Sequence, residues 1–413
     1  MVSRKILNES LRQFLILILV LPTSFCFAPI ISHPVKSNIR THTLPRSTTA
    51  DEIDSQNDVD ISIRSPMRFL GPYPTIPLRF PNLATSSQRE RNVTGISLDW
   101  VLDTAANVNT INAQVAQELT LEKVGEANPG VGAAGSIMGG DTFMLGDCEL
   151  DIKIDAEQSD TSDTSEDGEY ESLFMKELTA SALPVASPAA AGLLGLAFFF
   201  CFEGGVEFAW GDSNESPSVT FYGSSKGLNL DGMARVPFES LPVSMLPSVT
   251  LCINGKEIPA LFDTGSPITV LNARAAKEAG LETAISLDDL DQKGDEGNSG
   301  WNPFSKFAAN IDSAQKIAKA TASGDILTIA GASGQPVRLV RSNTAEDIDI
   351  KTSMEINQYS SIGKAQVYIG DIPGLAALGG LGGEAPPAAV LGMDLLRSRP
   401  RVVFRAQQNE IYL

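Results

Sequence analysis

Hydrophobic and polar residues alternate along two stretches of the chain, one in each half. In the first stretch, apolar side chains occupy every second position, at Ile96, Leu98, Trp100 and Leu102. A period of two is typical of a strand with one buried face. The pattern therefore predicts a strand that ends at Asp103 and places this carboxylate on the turn that follows.

The second stretch shows the same alternation on both sides of a two-residue turn. Asn254 and Gly255 form that turn, and Asn-Gly is a strong signal for a β-hairpin. The apolar positions are Val249, Leu251, Ile253, Ile258, Ala260 and Phe262. The sequence therefore predicts a hairpin whose second strand delivers Asp263 to a turn, as the first stretch does for Asp103.

The two aspartates begin a repeated segment. Residues 103–121 align with residues 263–281 over 19 positions without a gap, and seven pairs are identical. The identical pairs are Asp103/Asp263, Thr104/Thr264, Asn112/Asn272, Ala113/Ala273, Ala116/Ala276, Glu118/Glu278 and Leu121/Leu281. In each copy a short apolar strand follows the aspartate, and an asparagine able to cap a helix follows the strand. An internal duplication predicts two lobes of the same design.

Both halves also contain a later apolar motif that ends in glycine, and a separate glycine-rich stretch. The motif includes Leu194 and Gly195 in the first half and Leu391 and Gly392 in the second. Glycine allows two backbones to approach closely at such a position. The glycine-rich stretches predict hairpins that cover a cleft as flaps. The candidate flap residues are Gly132, Gly135, Gly331 and Gly334.

Three further segments stand outside this repeat. Residues 155–171 carry eight acidic residues and no basic one, and this composition predicts a solvated loop. Residues 302–324 have apolar residues at helical spacing and predict a helix inserted in the second lobe. Residues 189–202 are apolar or small, and we expect them to be buried in the first lobe because the segment is short for a bilayer span. Insertion of this segment into a membrane is the alternative.

Composition excludes several function classes. The 413-residue chain has a formal charge of −19, and residues 51–413 alone carry 25 basic and 49 acidic side chains. Such a field repels phosphate backbones, so we expect no nucleic-acid partner. The two histidines, His33 and His42, both precede residue 51, which excludes Ser-His and Cys-His catalysis and His-ligated metals in the body of the chain. We expect neither a metal nor an organic cofactor.

The N-terminus has the layout of targeting segments. Basic residues precede an apolar run at 14–21, which predicts a signal peptide over residues 1–26. Residues 27–50 contain basic, serine and threonine residues but no acid. Together the two segments resemble the bipartite plastid presequence of diatoms and related algae, which implies delivery to the chloroplast through the endoplasmic reticulum. A secreted or endomembrane protein is the alternative. We expect a flexible lead-in at 51–65, a first lobe at 66–232 and a second lobe at 233–413.

The sequence Asp-Thr-Gly-Ser at 263–266, followed by the apolar-apolar-Gly motif at 390–392, resembles the aspartic proteases of the retropepsin-like branch. The resemblance implies an all-β, bilobal acid-protease fold with two retropepsin-like β-barrel lobes, here with an inserted helix in lobe 2. It also implies an aspartic endopeptidase in which Asp103 and Asp263 share one proton and activate a water. Supporting roles fall to Thr104, Thr264, Gly265, Ser266, Leu194, Gly195, Leu391 and Gly392. One chain supplies both carboxylates, so we expect a monomer that binds a peptide or protein substrate.

The first copy departs from the family pattern. Ala105 replaces the expected glycine, and a methyl group is costly there if the turn needs a positive φ or close clearance. Ala106 replaces Ser or Thr, and we expect the lost hydroxyl to remove a donor to Asp103 and to shift an activity optimum towards higher pH. A catalytically inactive peptide-binding protein built on the same scaffold therefore stays open beside the endopeptidase.

Overall fold

The computed structural model describes the following residues: 62–126, 130–131, 137–138, 140–150, 174–182, 190–213, 215–242, 244–283, 319–330, 336–372, 375, 378–379 and 385–413. Several sequence expectations lie outside them. These are the signal and transit segments, the four candidate flap glycines, the acidic loop at 155–171, and the inserted helix as far as residue 318.

The first half of the described chain is built mainly of strands. They are β1 (Ser62–Pro66), β2 (Arg68–Leu70), β3 (Tyr73–Phe80), β4 (Ile96–Leu102), β5 (Thr110–Ile111), β6 (Glu122–Glu126), β7 (Gly130–Val131), β8 (Ile137–Met138), β9 (Asp141–Leu150), β10 (Phe174–Ala182), β11 (Gly192–Leu194), β12 (Gly205–Ala209) and β13 (Ser218–Tyr222). The predicted strand that leads to Asp103 is β4, and its last three residues are buried.

The second half follows the same plan. Its strands are β14 (Arg235–Pro237), β15 (Glu239–Ser240), β16 (Pro247–Ile253), β17 (Lys256–Phe262), β18 (Val270–Leu271), β19 (Ile326–Ala330), β20 (Pro336–Arg341), β21 (Glu346–Lys351), β22 (Tyr359–Ala365), β23 (Tyr368–Ile369), β24 (Ala389–Leu391), β25 (Arg401–Arg405) and β26 (Glu410–Tyr412). The predicted hairpin is β16–β17, and Asn254 and Gly255 have the positive φ angles of 50° and 73° that a tight hairpin turn requires.

Helices are short and few among the described residues. They are α1 (Ser86–Glu90), α2 (Ala113–Leu119), α3 (Leu196–Phe199), α4 (Ala273–Glu278), α5 (319–323), α6 (Met393–Leu396) and a 3-10 turn (Ala406–Gln408). As predicted, Asn112 caps α2 by accepting the N–H of Gln114, and Asn272 caps α4 by accepting the N–H of Ala275. Helix α5 is the described end of the predicted insertion helix.

Each half forms its own sheet, and the same three-strand unit lies at the centre of both. In the first sheet, ordered β2-β3-β4-β11-β5-β10-β9-β6, β11 runs parallel to β4 and antiparallel to β5. In the second, β24 runs parallel to β17 and antiparallel to β18. The unit pairs Leu102 with Leu194 in one lobe and Phe262 with Leu391 in the other. Each aspartate therefore leaves its lobe at the end of a buried central strand.

A third sheet joins the two halves. Its order is β1-β13-β12-β25-β26-β14, so strands from both ends of the described chain lie side by side. Buried aromatic rings cover this junction, with Phe404 within 5.5 Å of Phe199 and 5.6 Å of Phe262 by ring centroids. Burial of such large apolar side chains is a main stabilising contribution to the contact between lobes.

The predicted all-β, bilobal fold is confirmed. The lead-in expected at 51–65 overlaps the first strand, because 62–66 form β1 and pair with β13. Residues 190–202 contribute β11 and α3 to the first lobe, with Phe198, Phe199 and Phe202 buried in its core. Within the part of the chain that the structure describes, no helix has the length and apolar character needed to cross a bilayer.

Candidate active site

The two aspartates lie on equivalent turns, each anchored to the strand behind it. The backbone N–H of Asp103 donates to the carbonyl of Leu194 at 3.0 Å, and that of Asp263 donates to the carbonyl of Leu391 at 3.1 Å. These bonds continue the parallel ladders β4–β11 and β17–β24 beyond their last paired residues. The position of each carboxylate is thus fixed by the central strands of its own lobe.

Within each turn, the carboxylate folds back onto the backbone. Oδ1 of Asp103 accepts the N–H of Ala105 at 2.9 Å, and Oδ1 of Asp263 accepts the N–H of Gly265 at 2.8 Å. The next backbone N–H, that of Ala106 or Ser266, donates to the main-chain carbonyl of the aspartate at 3.4 or 3.3 Å, and its proximity lowers the pKa of the carboxyl group. Alanine supplies these donors as well as glycine or serine does, because they belong to the main chain.

The hydroxyl of Ser266 does not contact Asp263. It donates instead to the carbonyl of Ile268 at 2.8 Å. The expectation that this hydroxyl supports the carboxylate is therefore wrong in this structure. The expected shift of the pH optimum by Ala106 loses its basis with it, since Asp103 receives the equivalent backbone N–H in the first lobe.

Two threonines cross between the lobes. The N–H of Thr104 donates to Oγ1 of Thr264 at 3.1 Å, and the N–H of Thr264 donates to Oγ1 of Thr104 at 3.0 Å. Each hydroxyl then donates to the far lobe, Thr104 to the carbonyl of Phe262 at 2.8 Å and Thr264 to that of Leu102 at 2.7 Å. Both threonines are fully buried. This reciprocal set of bonds holds the two turns face to face.

The crossed turns bring the two carboxyl groups together. They lie close enough that each carboxyl group shifts the pKa of the other. Burial raises the pKa of Asp103 to about 6, against the lowering effect of the backbone donors. Burial, followed by the negative charge of Asp103, raises the pKa of Asp263 well above its usual range. Two carboxyl groups in this arrangement share one proton and titrate as a unit.

Gly265 is needed for this contact. A Cβ atom at position 265 would lie 2.4 Å from Cγ and 2.5 Å from Oδ2 of Asp103, which is inside any permitted contact. Ala105, the equivalent residue in lobe 1, is not among the described residues with a positive φ, so its backbone suits an alanine. The turn at Ala105 is therefore free of the φ strain that a missing glycine could cause, and its methyl group remains as a difference between the two sides of the pair.

The apolar-Gly motifs pack behind the aspartate turns, as the sequence predicts. A Cβ at Gly195 would lie 2.5 Å from the carbonyl oxygen of Ala106, and one at Gly392 would lie 2.3 Å from that of Ile268. These close approaches allow the N–H groups just after the motifs to bond to the turns, from Leu196 to Ala106 and from Met393 to Ser266. Glycine at 195 and 392 is required by space, not by φ.

The side chains that support the two glycines differ between the lobes. In lobe 2, the hydroxyl of Thr269 accepts the N–H of Gly392 at 3.1 Å and donates to Oδ1 of Asp394 at 2.7 Å. In lobe 1, Oδ1 of Asn109 accepts the N–H of Gly195 at 3.0 Å, with no carboxylate involved. Asn109 and Thr269 occupy equivalent positions of the repeat.

Sequence reasoning missed Tyr73. The β3–β4 register pairs Thr75 with Val101, and continuing that register places Tyr73 opposite Asp103. Burial, then repulsion by Asp263 and by Asp103, raises the pKa of the Tyr73 phenol. A neutral phenol thus lies in the electric field of both carboxylates. The sequence signal that could have found Tyr73 is the strand pattern of β3. This pattern places Tyr73 near Asp103 only when β4 is known to be the partner strand.

Comparison with known proteins finds a family model that matches part of the second lobe. Residues 249–290 match the model of the family described as aspartyl protease, a segment that contains β17 and the whole turn at 263–266. This segment of the second lobe is therefore similar to the aspartyl proteases. No curated protein matches the sequence.

Similar solved structures include two globulins and an aspartic proteinase. Basic 7S globulin from soybean is 11% identical, with 86% of this chain and 95% of that chain covered and a TM-score of 0.43. Conglutin gamma from lupine seeds is 10% identical, with the same coverage and TM-score. The aspartic proteinase from Irpex lacteus is 12% identical, with 85% of this chain and 96% of that chain covered and a TM-score of 0.39. The fold of this chain is defined by its own sheets and crossed threonines.

Proposed function

We propose that the protein is an aspartic endopeptidase that hydrolyses peptide bonds with a water activated by Asp103 and Asp263. The observation that carries the proposal is the buried pair of carboxyl groups, held at the junction of the lobes by reciprocal threonine contacts and close enough to shift each other's pKa. Burial keeps one proton on this pair at pH values where isolated aspartates are ionised. The pair therefore offers a base and an acid at the same place.

The reaction needs only the pair, a water and a peptide. The charged carboxylate takes a proton from the water while the water oxygen bonds to the scissile carbonyl carbon. At the same time the neutral carboxyl group donates its proton to the carbonyl oxygen. A tetrahedral diol results. The carboxyl that received the water's proton then passes it to the amide nitrogen, a diol proton returns to the other carboxylate, and the C–N bond breaks to release a carboxylic acid and an amine. The two carboxyls end as one acid and one base again, and no covalent intermediate forms.

The pH dependence follows from the raised pKa values. The pair is competent when it holds one proton, and loss of the first proton has its midpoint near the value of about 6 at Asp103. We therefore propose that kcat/KM rises through about pH 6 and stays high at neutral pH. An aspartate with an unshifted pKa loses its proton at about pH 4, so the proposed rise in kcat/KM lies at a higher pH.

We also propose the setting in which this activity operates. One chain supplies both carboxylates, so a monomer is sufficient, and the substrate is a peptide or protein bound in extended form between the lobes. The predicted signal peptide and the basic, acid-free segment at 27–50 support delivery to a plastid through the endoplasmic reticulum, with secretion as the alternative. Immunolocalisation of the tagged full-length chain distinguishes these destinations.

The test is cleavage of a mixed peptide library by residues 51–413 between pH 4 and 8, with and without a statine-type transition-state analogue. We expect cleavage that the analogue inhibits and that Asp103→Asn and Asp263→Asn each abolish. Matched thermal unfolding of the three proteins shows that loss of activity is not loss of fold. Intact peptides at every pH, together with tight binding of the analogue, would instead support a peptide-binding protein in which the methyl of Ala105 has ended catalysis.

A further inference from the structure

A depression beside the carboxyl pair has a cation in its wall. It has a volume of about 390 Å³, which lies in the range of small ligand sites. The described residues that line it are Pro72, Pro267, Met393, Asp394, Arg397 and Ser398. It therefore lies between the β2–β3 hairpin of lobe 1 and the α6 segment of lobe 2.

The residues that line this depression adjoin the turn at 263–266 and Tyr73. Pro267 follows Ser266 directly, and the N–H of Met393 donates to the carbonyl of Ser266 at 2.9 Å. On the opposite wall, Pro72 precedes Tyr73, whose phenol lies in the field of both carboxylates. A peptide that reaches Asp103 and Asp263 from this side would place one of its side chains, or its C-terminus, over the depression.

Arg397 presents an available guanidinium there. Its Cζ lies 4.4 Å from the ring centroid of Phe69 on β2, so the aromatic ring orients the planar group across the lobe boundary. Among the residues that the structure describes, no carboxylate lies within 4.0 Å of this guanidinium. Arg397 is exposed, so an incoming anion can reach it.

The one carboxylate among the described residues of the wall is already engaged. Asp394 accepts the N–H and the hydroxyl of Thr269 at 3.0 and 2.7 Å, and it accepts the N–H of Leu395 at 2.9 Å. These bonds direct Asp394 towards Thr269, whose hydroxyl accepts the N–H of Gly392. The cation in the depression is thus held by an aromatic ring, while the nearest anion is held by other donors.

We propose that this depression is a substrate subsite that selects a carboxylate, with Arg397 as its recognition residue. A planar guanidinium binds a carboxylate through two parallel hydrogen bonds, which gives both attraction and orientation. The carboxylate belongs either to an Asp or Glu side chain of the substrate or to its C-terminus. This inference rests on the proposed endopeptidase function and deepens it, because it names the chemistry of the preferred substrate.

The test measures binding separately from cleavage. The Asp263→Asn protein, which cannot consume its ligand, is titrated with fluorescent octapeptides that carry one Glu walked through the positions, each against its Gln counterpart. A second arm compares a free C-terminal carboxylate with its amide. We expect one position, or the C-terminus, to bind about tenfold more tightly as the carboxylate, since a charge-assisted hydrogen bond is stronger than a neutral one.

Variants then assign the preference to one residue. Arg397→Gln reduces the ratio of the two affinities to about one and leaves the neutral peptide within about twofold, and Arg397→Lys keeps part of the preference. Arg338→Gln removes an equal charge from an exposed site on β20 and leaves the ratio unchanged. A ratio of one in the parent protein overturns the proposal. So does an equal loss for both peptides in Arg397→Gln, which would mean that Arg397 only joins the lobes through Phe69.

The outcomes also separate the two proposals. Selective binding of carboxylate peptides with no cleavage by the wild-type protein would support the subsite and contradict the peptidase. Cleavage of Glu and Gln peptides with equal kcat/KM would support the peptidase and contradict the subsite.

Discussion

The turns at 103–106 and 263–266 hold their aspartates with the same backbone contacts, although only the second keeps its glycine. Both carboxylates accept the N–H two residues ahead, at 2.9 and 2.8 Å, and both turns accept a bond from the residue after the apolar-Gly motif of their lobe. Main-chain donors do not depend on the side chain, which explains how Ala105 and Ala106 fit the first turn. What differs is the side chain, since lobe 1 has a methyl group at 105 and lobe 2 has none at 265.

The same contrast holds one layer behind the turns. Lobe 2 supports Gly392 with a threonine that is itself held by Asp394, whereas lobe 1 supports Gly195 with the single carboxamide of Asn109. An alanine, Ala197, stands at the position equivalent to Asp394, and it is exposed. The first lobe has thus changed its side chains while each buried glycine N–H keeps an acceptor. The requirement that persists is the hydrogen bond, not the residue that makes it.

Moving the alanine of lobe 1 into lobe 2 is the strongest way to break the comparison. In Gly265→Ala, the new methyl group would occupy the space of the Asp103 carboxylate. We expect kcat/KM to fall on the order of 10³-fold, the contribution of a well-placed acid and base. Cleavage of a fluorogenic peptide measures the loss, with circular dichroism to show that the fold persists. Activity within tenfold of wild type would mean that the two carboxyl groups do not depend on this clearance.

The crossed threonines should respond equally, because their contacts mirror each other. Thr104→Val and Thr264→Val each leave an opposite N–H without its acceptor in a fully buried site. We expect each to lower the free energy of unfolding by about 2–3 kcal/mol, measured by urea denaturation. Thr264→Ser keeps the hydroxyl and serves as the control. An unchanged urea midpoint in either valine variant would show that the lobes are held together elsewhere.

The support behind the turns should respond unequally. Asp394→Ala removes the acceptor of the Thr269 N–H and hydroxyl, and we expect a loss of about 1–2 kcal/mol in unfolding free energy. The matched change in lobe 1, Ala197→Asp, adds a carboxylate where Asn109 already serves Gly195, and it should change stability by less than about 0.5 kcal/mol. Equal effects of the two substitutions would refute the idea that Asn109 replaces the Thr269–Asp394 pair.

The smallest effect is expected when the missing glycine is restored. Ala105→Gly adds backbone freedom to the unfolded chain and should lower the unfolding free energy by about 0.4–1 kcal/mol. We expect kcat/KM to change by less than about threefold, since the N–H of residue 105 stays in place. A gain of tenfold or more in kcat/KM, measured by peptide cleavage with the purified variant, would identify the methyl group of Ala105 as an obstacle to catalysis.

Local sequence signals predicted most of the strands, turns and helix caps that position the site. The alternation at 96–102, the Asn-Gly turn at 254–255 and the capping asparagines Asn112 and Asn272 are each observed, because each depends on neighbours along the chain. The duplication predicted the pairing of the turns, because two copies of one segment fold alike. The site prediction that failed depends on the conformation of one turn, and the residue that sequence reasoning missed depends on strand pairing.

Three features illustrate that limit. The sequence pattern assigns Ser266 to Asp263, yet its hydroxyl has an acceptor in the carbonyl of Ile268, which no pattern in the sequence reveals. Tyr73 lies far from Asp103 in the sequence, and only the register of β3 against β4 places them opposite each other. Residues 62–66 form β1 because the distant β13 offers an edge for pairing. Long-range contacts decide the second and third, whereas the first depends on the local conformation of the turn at 266–268.

The raised pKa values have a consequence for stability. A folded state that binds protons more tightly than the unfolded chain is favoured at low pH. The contribution of the pair is therefore fully present below about pH 4, the usual value for an aspartate, and it is lost as the pH rises through about 6 at Asp103. The carboxyl pair thus makes the protein less stable at neutral pH than at acidic pH.

The most direct test of the carboxyl pair is an NMR titration of the protein with ¹³C-labelled aspartate side chains between pH 3 and 10. Asn variants at 103 and 263 assign the two signals. We predict two linked steps, one near pH 6 and one well above the usual aspartate range, and a lower pKa for Asp263 when Asp103→Asn removes the charge beside it. Two independent steps near pH 4, unchanged by either substitution, would contradict a shared proton.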